Sequence, residues 1–165
     1  MTTPQPTLAG FQAFITNVMK IKPADLPTSS PWIGIALANA MAIVNPSLAC
    51  VGIPTADAAD VSLGTTWGTL YTEAVYNLAA DNLINYAPDQ PGRSYFKRLR
   101  KQLNINGFVS GVVQSSSDES TSVGLVVQDA ARAFTLANLQ NLKTTYGRAY
   151  LALAQSTGPN VYGMS

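Results

Sequence analysis

Apolar residues recur at helical spacing near the start of the chain and predict two helices. The first run covers residues 8–22 and should end ahead of Pro23, because the residue before a proline avoids the helical conformation. The second covers residues 30–45. It opens with Ser30 as N-cap and Pro31 in the first turn, where the missing proline N–H costs nothing.

The strongest helical period lies in the middle of the chain and predicts a central helix over residues 66–86. Asp81 and Asn82 lie beside its apolar stripe, and we expect them to face a partner. A last helix is predicted over residues 136–155. Gly147 inside it lowers the stability of the helix by roughly 1 kcal/mol relative to alanine. This cost is tolerable if another backbone must pass so close that no side chain fits.

A short basic helix is predicted within the stretch GRSYFKRLRKQL. This stretch holds five of the chain's ten Lys and Arg residues. At 100° per residue, Arg93, Lys97 and Arg100 share a face, and Lys101 extends it. Such a face is either a solvated side of an amphipathic helix or a contact for a phosphate backbone or an acidic partner.

The period changes to alternation between residues 108 and 127, in FVSGVVQSSSDESTSVGLVV. Val109 and Val113 alternate with smaller or polar residues in a first run, and Val123 and Leu125 in a second, with the polar SSSDES as a loop between them. This pattern predicts a β-hairpin. Because a lone two-stranded hairpin is at best marginally stable, it must lie on the helices or pair with something else.

Together these elements predict a mainly α protein: a bundle of four to five helices with one hairpin insertion at about 108–127. We expect a single domain over residues 1–165, with a flexible arm at 1–7 and an extended tail at 158–165. The long connection over residues 46–61 can hold a short turn of helix.

Composition narrows the class of protein. Apolar residues make up 47% of the chain and charged residues 12%, about half the usual ~25% share of charge. A surface so short of charge suits either a subunit covered by neighbours or a neutral surface rich in Ser, Thr, Asn and Gln. The net charge of +1 is too small to indicate nucleic-acid binding by the protein as a whole.

With one cysteine, no signal-peptide pattern and no membrane-spanning apolar run, we expect a soluble protein that is not secreted and does not bind membranes.

Candidate chemistry is sparse. The chain has no histidine, which removes the commonest general base and most zinc sites. The glycine-containing stretches lack the lysine and the context of a phosphate loop. The single adjacent acid pair, Asp118-Glu119, falls in the predicted hairpin loop. The usual catalytic motifs are therefore missing, which disfavours an enzyme that acts on a phage or cell-wall substrate, and we expect no cofactor and no metal.

Three stretches resemble a family of tailed-phage head–tail adaptor proteins: WGTLYTEAVYNLAADNLINY, GVVQSSSDESTSVGLVV and TTYGRAYLALAQSTGPNVYG. They are similar to the family's long central helix, its Gly-Val, Ser-rich hairpin and its T-x-Y-G-x-x-Y-x-x-L ending. The resemblance implies a non-enzymatic ring of identical subunits, commonly twelve, in the neck of the virion. Such a ring lies beneath the portal protein, continues the channel for double-stranded DNA, and offers a docking surface to the next neck or tail protein. It would be made in the host cytoplasm. The first 60 residues fit the family only in general.

Three sets of residues become candidate contacts. We expect the basic side of the short helix to contact the portal or the DNA channel, and the hairpin to contact a neighbouring subunit. We expect the tail to dock onto the portal, as the resemblance to adaptors that dock through their C-terminal parts implies. The alternative is a small monomeric module that uses the basic helix 93–101 to bind nucleic acid. The candidate residues are, in that order, Arg93, Lys97, Arg100 and Lys101; Val109, Val113, Val123 and Leu125; and Pro159, Val161, Tyr162 and Met164.

Overall fold

A computed structural model describes residues 5–50, 70–107, 115–118, 121–124 and 140–156. The described part is mainly helical, as the sequence predicts. Its helices are α1 (Leu8–Asn17), α2 (Pro31–Ile43), α3 (Leu70–Tyr86), α4 (Tyr95–Gln102) and α5 (Thr145–Ser156), with a 3-10 helix at Pro46–Cys50.

Helix α3 is the centre of the fold. Twelve of its residues are buried, and it packs against α2 and α5 more extensively than against the other helices. Its end at Tyr86 agrees with the prediction, whereas its predicted first residues lie outside the described part. The core is one hydrophobic cluster contributed chiefly by α1, α2 and α3.

Helix α1 is fastened to α3 through aromatic side chains. The hydroxyl of Tyr76 accepts a hydrogen bond from the backbone N–H of Thr7 at 3.1 Å and donates to the Thr7 carbonyl at 3.2 Å. The Tyr76 ring lies 5.7 Å from Phe11 and 5.9 Å from Phe14, centroid to centroid. The last residues of the predicted flexible arm are therefore held in place, and Pro6 is buried.

Helix α1 ends five residues before the predicted boundary at 22. Lys20 adopts a left-handed backbone conformation with φ at 56°, which a continuing helix cannot contain. This reversal lets both Met19 and Ile21 be buried in the core. Helix α2 begins as predicted, with Pro31 at its first position, but the Ser30 side chain makes no capping hydrogen bond.

The predicted single helix over residues 136–155 is wrong. Residues 140–141 are helical, residues 142–144 are not, and α5 begins at Thr145. The Thr144 hydroxyl accepts a hydrogen bond from the Gly147 backbone N–H at 2.8 Å, which is the contact of an N-cap residue. A cap inside the periodic run starts a new helix, and periodicity alone cannot show it.

Two four-residue strands, β1 (Ser115–Asp118) and β2 (Thr121–Gly124), pair antiparallel with Ser116 opposite Val123. The sequence places Ser115 to Asp118 in a loop, so that assignment is wrong. The predicted first strand around Val109 and Val113 lies outside the described residues, and so does Leu125. The hairpin over residues 108–127 therefore stays a prediction.

Candidate functional site

The basic helix α4 is anchored at both of its ends, at the first by the loop that precedes it and near the second by the end of α3. The Asp89 carboxylate accepts hydrogen bonds from the backbone N–H groups of Phe96 at 2.7 Å and Lys97 at 3.0 Å, so it caps the helix N-terminus. Near the other end, Arg100 donates through Nε to the Ile84 carbonyl at 2.7 Å and through Nη2 to the Ala87 carbonyl. Arg100 thus caps the last turn of α3, whose carbonyls have no partner within the helix.

The predicted basic face is therefore not a free cationic surface. Arg100 is turned toward α3, and Arg93 precedes α4 and forms an ion pair of 3.1 Å with Asp25. Lys97 and Lys101 are exposed. Two of the four predicted cations thus have contacts within the chain that the helical plot does not reveal, because it shows angular position and not what lies opposite.

A buried polar junction joins α3 to α5. Asp81 is 1% exposed, and its carboxylate accepts hydrogen bonds from the Thr144 hydroxyl and from Asn85 Nδ2, the latter at 2.8 Å. The expectation that Asp81 faces a partner is wrong, because the partner is Thr144 of the same chain. One hydroxyl thereby serves two roles, since Thr144 donates to Asp81 and accepts from Gly147.

Burial raises the pKa of Asp81 to about 6, although the hydrogen bonds from Thr144 and Asn85 act in the opposite direction. Desolvation of the carboxylate is the larger of these effects. The junction therefore holds a carboxyl group that changes its charge near neutral pH.

Gly147 is explained by the same junction. A Cβ at this position would fall well inside van der Waals contact with the backbone carbonyl of Asn141. The expected close backbone approach is present, but the approaching backbone belongs to the same chain.

The outer face of α2 is a surface that the sequence analysis missed. One side of α2 is buried through Ile33, Ala36, Leu37 and Ala40. On the opposite side Ile35 is 46% exposed, and Ile43, the last residue of the helix, is 61% exposed. Residues 31–43 contain no charged side chain, and Asn39 is the one side chain among them with a hydrogen-bonding group apart from Trp32. A helix that is apolar all round is normally covered on all sides. The lack of charged residues around α2 was therefore the sequence feature that could have indicated an interaction surface.

A shallow groove of about 90 Å³ follows this face where α2 meets the end of α3. Trp32 and Ile35 line it from α2, and Asn82 and Tyr86 line it from α3. Tyr86 is 67% exposed. Among the described residues, neither the exposed side chains of α2 nor the lining of this groove includes a charged group, and together we call them the α2 face.

A second apolar surface lies where α4 meets α5. It is a cleft of about 190 Å³ lined by Tyr95, Leu99 and Leu103 of α4 and the turn after it, by Thr145 and Tyr146 of α5, and by Met19 and Ile84. Burial raises the pKa of the Tyr146 hydroxyl, and the neighbouring Tyr95 adds to the shift. None of the charged side chains that the structure describes lines this cleft, which we call the α4–α5 cleft.

Lys143, which follows the segment 108–139, binds the backbone that precedes this segment. Its Nζ donates to the carbonyls of Ile105 and Gly107, at 2.6 Å each. The two ends of this long segment are therefore held side by side at the base of α4.

The other candidate contacts are not brought together by the described structure. Val109, Val113, Leu125 and all four tail residues, Pro159, Val161, Tyr162 and Met164, lie outside the described residues. Val123 is placed only through its backbone pairing in β2. The predicted roles of the hairpin and the tail stay predictions.

Across the described ranges, no three carboxylate or thiol side chains are grouped so that they could hold a metal ion. In the same part of the chain, every helix is too short or too polar to cross a membrane. Comparison of the chain with protein-family models, with curated proteins and with solved structures finds no match in any of the three.

Proposed function

We propose that this chain is a structural subunit of a homo-oligomeric ring in the neck of a tailed phage, where it joins the portal to the tail and continues the DNA channel. The observation that carries this proposal is the α2 face. A largely apolar face without charge is costly to leave in water, and on monomeric proteins such patches are small. A subunit that is covered on assembly accounts for it.

The phage neck as the location follows from the resemblance in the central helix, the Ser-rich hairpin region and the C-terminal stretch. In this proposal the hairpin over residues 108–127 contacts a neighbouring subunit and the tail over residues 158–165 docks onto the portal. The Lys143 contacts are consistent with a projecting hairpin in this proposal, because they hold together the two ends of the segment that carries the strands.

The alternative, a monomeric module that binds nucleic acid through residues 93–101, has less support. Arg100 is occupied by the carbonyls of Ile84 and Ala87 at the end of α3, and Arg93 is paired with Asp25. The cations of this stretch that are left for a phosphate backbone are Lys97, Arg98 and Lys101, and nonspecific DNA affinity falls steeply when fewer phosphates are contacted.

The test is to mix the purified protein with portal rings of the same phage and to image the mixture by electron microscopy. We expect an additional ring of density at one end of the portal, and labelling of native particles should place the chain at the neck. Binding to double-stranded DNA in the absence of portal, with no decoration of portal rings, would favour the monomeric module instead.

A further inference from the structure

We propose that the buried junction between α3 and α5 makes the attachment of α5 to the rest of the fold depend on pH. Helix α5 lies against α3 while Asp81 is protonated, and it detaches more often once Asp81 is ionised. The inference goes beyond the proposed function and does not depend on it. It is carried by the hydrogen bonds around Asp81 and by how little apolar surface holds α5 otherwise.

The first observation is the place of the junction at the start of α5. The fully buried Thr144 hydroxyl bonds to the Asp81 carboxyl group on α3 and to the backbone N–H of Gly147. Because an amide N–H can only donate, the hydroxyl accepts from Gly147 and gives its single proton to Asp81. The first turn of α5 is therefore tied to α3 through the carboxyl group of Asp81.

The second observation is the small amount of buried apolar surface on α5. Among the side chains of α5 that the structure describes, Leu151 is the one large apolar side chain that is buried, whereas Tyr146, Tyr150 and Leu153 are partly buried against the core. Helix α2, which is of similar length, buries four apolar side chains. Elements with few buried apolar groups open at low cost, so a change of charge at the junction can shift the attachment of α5.

The third observation is that the junction can hold the carboxyl group in its neutral form. Asp81 Oδ2 accepts a hydrogen bond from Asn85 Nδ2 at 2.8 Å, while the buried Asn85 Oδ1 has no hydrogen-bond partner among the described residues. When the amide of Asn85 turns by 180°, its oxygen meets Oδ2 and accepts a proton from it. The neutral carboxyl group is then hydrogen-bonded, whereas the ionised group remains a buried charge.

The cations of α5 and of the turn before it do not offset that charge. Lys143 Nζ donates to the carbonyls of Ile105 and Gly107. The exposed Arg148 guanidinium donates to groups at the start of its own helix and in the turn before it. Burial raises the pKa values of the two tyrosines of α5, so they are neutral throughout the range in which Asp81 titrates.

The other elements that pack on α3 bring no charge to Asp81 either. Helices α1 and α2 and the 3-10 helix contain no charged residue. On α4, Arg100 donates to carbonyls at the end of α3, and the remaining cations are exposed. On α3 itself, Glu73 lies eight positions before Asp81, about 12 Å along the helix axis. The pKa of Asp81 is accordingly set by burial as the largest cause and by its two hydrogen bonds.

The direction of the pH effect follows from the two states of α5. With α5 attached, burial holds the pKa of Asp81 at about 6, and with α5 detached the carboxyl group meets water and returns to its ordinary pKa of 3.8. The stabilisation of the attached state is complete below pH 3.8 and is lost as the pH rises through 6. Residues 157–165 follow α5 directly, so the same proton decides how firmly the start of this segment is held against α3.

The test is amide hydrogen exchange of the full chain at about pH 5 and about pH 7.5, corrected for the intrinsic exchange rate at each pH. We expect the protection of the α5 amides to fall by about tenfold between these pH values, as pKa values of about 6 and 3.8 in the two states require. Low concentrations of urea separate local from global opening, because a local opening exposes little surface. The α5 amides should be insensitive to urea, whereas the most protected amides of α3 should respond to it.

Two variants assign the effect to one carboxyl group. Asp81→Asn keeps an acceptor oxygen for the Thr144 hydroxyl but cannot ionise, so the protection of α5 should be the same at both pH values. Asp89→Asn is the matched control. It removes a carboxylate that caps α4, and α5 should keep the pH dependence of the wild type.

A measurement on the wild type keeps the test decisive if Asp81→Asn does not fold. Carbon-13 NMR of the side-chain carboxyl groups follows the ionisation of Asp81 directly. The protection of α5 should fall until the pH reaches the midpoint of that signal and level off above it.

Three results would overturn the inference. They are a protection of α5 that is equal at both pH values, α5 amides that respond to urea as strongly as those of α3, and a pH dependence that persists in Asp81→Asn. A pH dependence that disappears in Asp89→Asn would likewise show that Asp81 is not the group responsible.

Discussion

At the scale of single residues, the junction between α3 and α5 depends on groups whose roles the sequence conceals. Asp81 looks like a surface acid beside an apolar stripe, yet it is buried and holds the Thr144 hydroxyl. Thr144 looks like one polar residue in a helical run, yet it caps α5. Gly147 allows the turn before α5 to pass against the helix.

Replacement of Gly147 by alanine should destabilise the protein, although alanine is the better helix former. The added methyl group meets the Asn141 backbone, and overpacking of this kind costs roughly 1–3 kcal/mol. Gly34→Ala in α2 is the matched control, because apart from its chain neighbours and the backbone of its own helix no atom of the described residues lies within 4 Å of the point that its methyl group would occupy. It should be neutral or stabilise by up to about 1 kcal/mol. Urea unfolding measures both, and equal effects of the two changes would contradict this account of Gly147.

The contribution of Asp81 to the stability of the folded protein should fall as the pH rises from about 4 to 6.5. Its pKa of about 6 in the folded state lies above the ordinary value of 3.8, so the folded state holds this proton more tightly. The stabilisation is fully present below pH 3.8 and is lost as the pH rises through 6, a change of about 3 kcal/mol.

Unfolding free energies of the wild type and of Asp81→Asn, measured at several pH values, test this expectation. Asparagine has no proton to lose in this range. The free energy of unfolding of the wild type should therefore fall relative to that of the variant as the pH rises. A difference that does not change with pH between 4 and 6.5 would show that Asp81 does not titrate there.

At the scale of elements, helix ends are held by side chains that are distant in sequence. Asp89 caps α4 from the preceding loop, and Arg100 reaches back from α4 to the last carbonyls of α3. The connection between α3 and α4 is therefore stabilised by a contact to the start of α4 and by a contact to the end of α3. A cationic side chain near a helix C-terminus also interacts favourably with the helix dipole.

Arg100→Met should lower the free energy of unfolding by roughly 1–3 kcal/mol, because the carbonyls of Ile84 and Ala87 lose their donors. Lys101→Met removes the same charge from an exposed neighbouring position and should stay within about 0.5 kcal/mol of the wild type. Thermal and urea unfolding distinguish the two. A loss of equal size in both variants would mean that net charge, and not the contact with α3, is what matters.

At the scale of the whole molecule, α2, α3 and α5 form three successive layers, with α3 in the middle. This arrangement leaves one uncharged surface at each side of the described part. The tail over residues 158–165 adds a further contact in the proposed function.

Deletion of residues 159–165 should leave the stability of the subunit nearly unchanged and abolish its binding to the portal. Val161, Tyr162 and Met164 can be covered by assembly, because a short extended peptide can add to another chain's edge or lie in its groove. Unfolding curves and electron microscopy of portal mixtures measure the two effects. Decoration of portal rings at wild-type affinity would refute the docking role, and loss of folding would show that the tail packs on its own helices.

The sequence by itself determined the helical class, the central helix up to Tyr86, the start of α2 at Pro31 and the short basic helix. These features rest on local causes: the period of apolar residues, the fixed φ of proline and the placement of helix-breaking residues. Each acts within a few positions along the chain, so it is readable without a fold.

Tertiary structure alone decided the break before α5, the burial of Asp81, the inward direction of Arg100 and the uncovered side of α2. Each depends on how parts of the chain far apart in sequence come together, as Asp81 does with Thr144, 63 positions away. Periodicity reports which side of a helix is apolar. It does not report how many sides the rest of the chain covers, and this is why α2 can be apolar on both sides while the described residues cover only one.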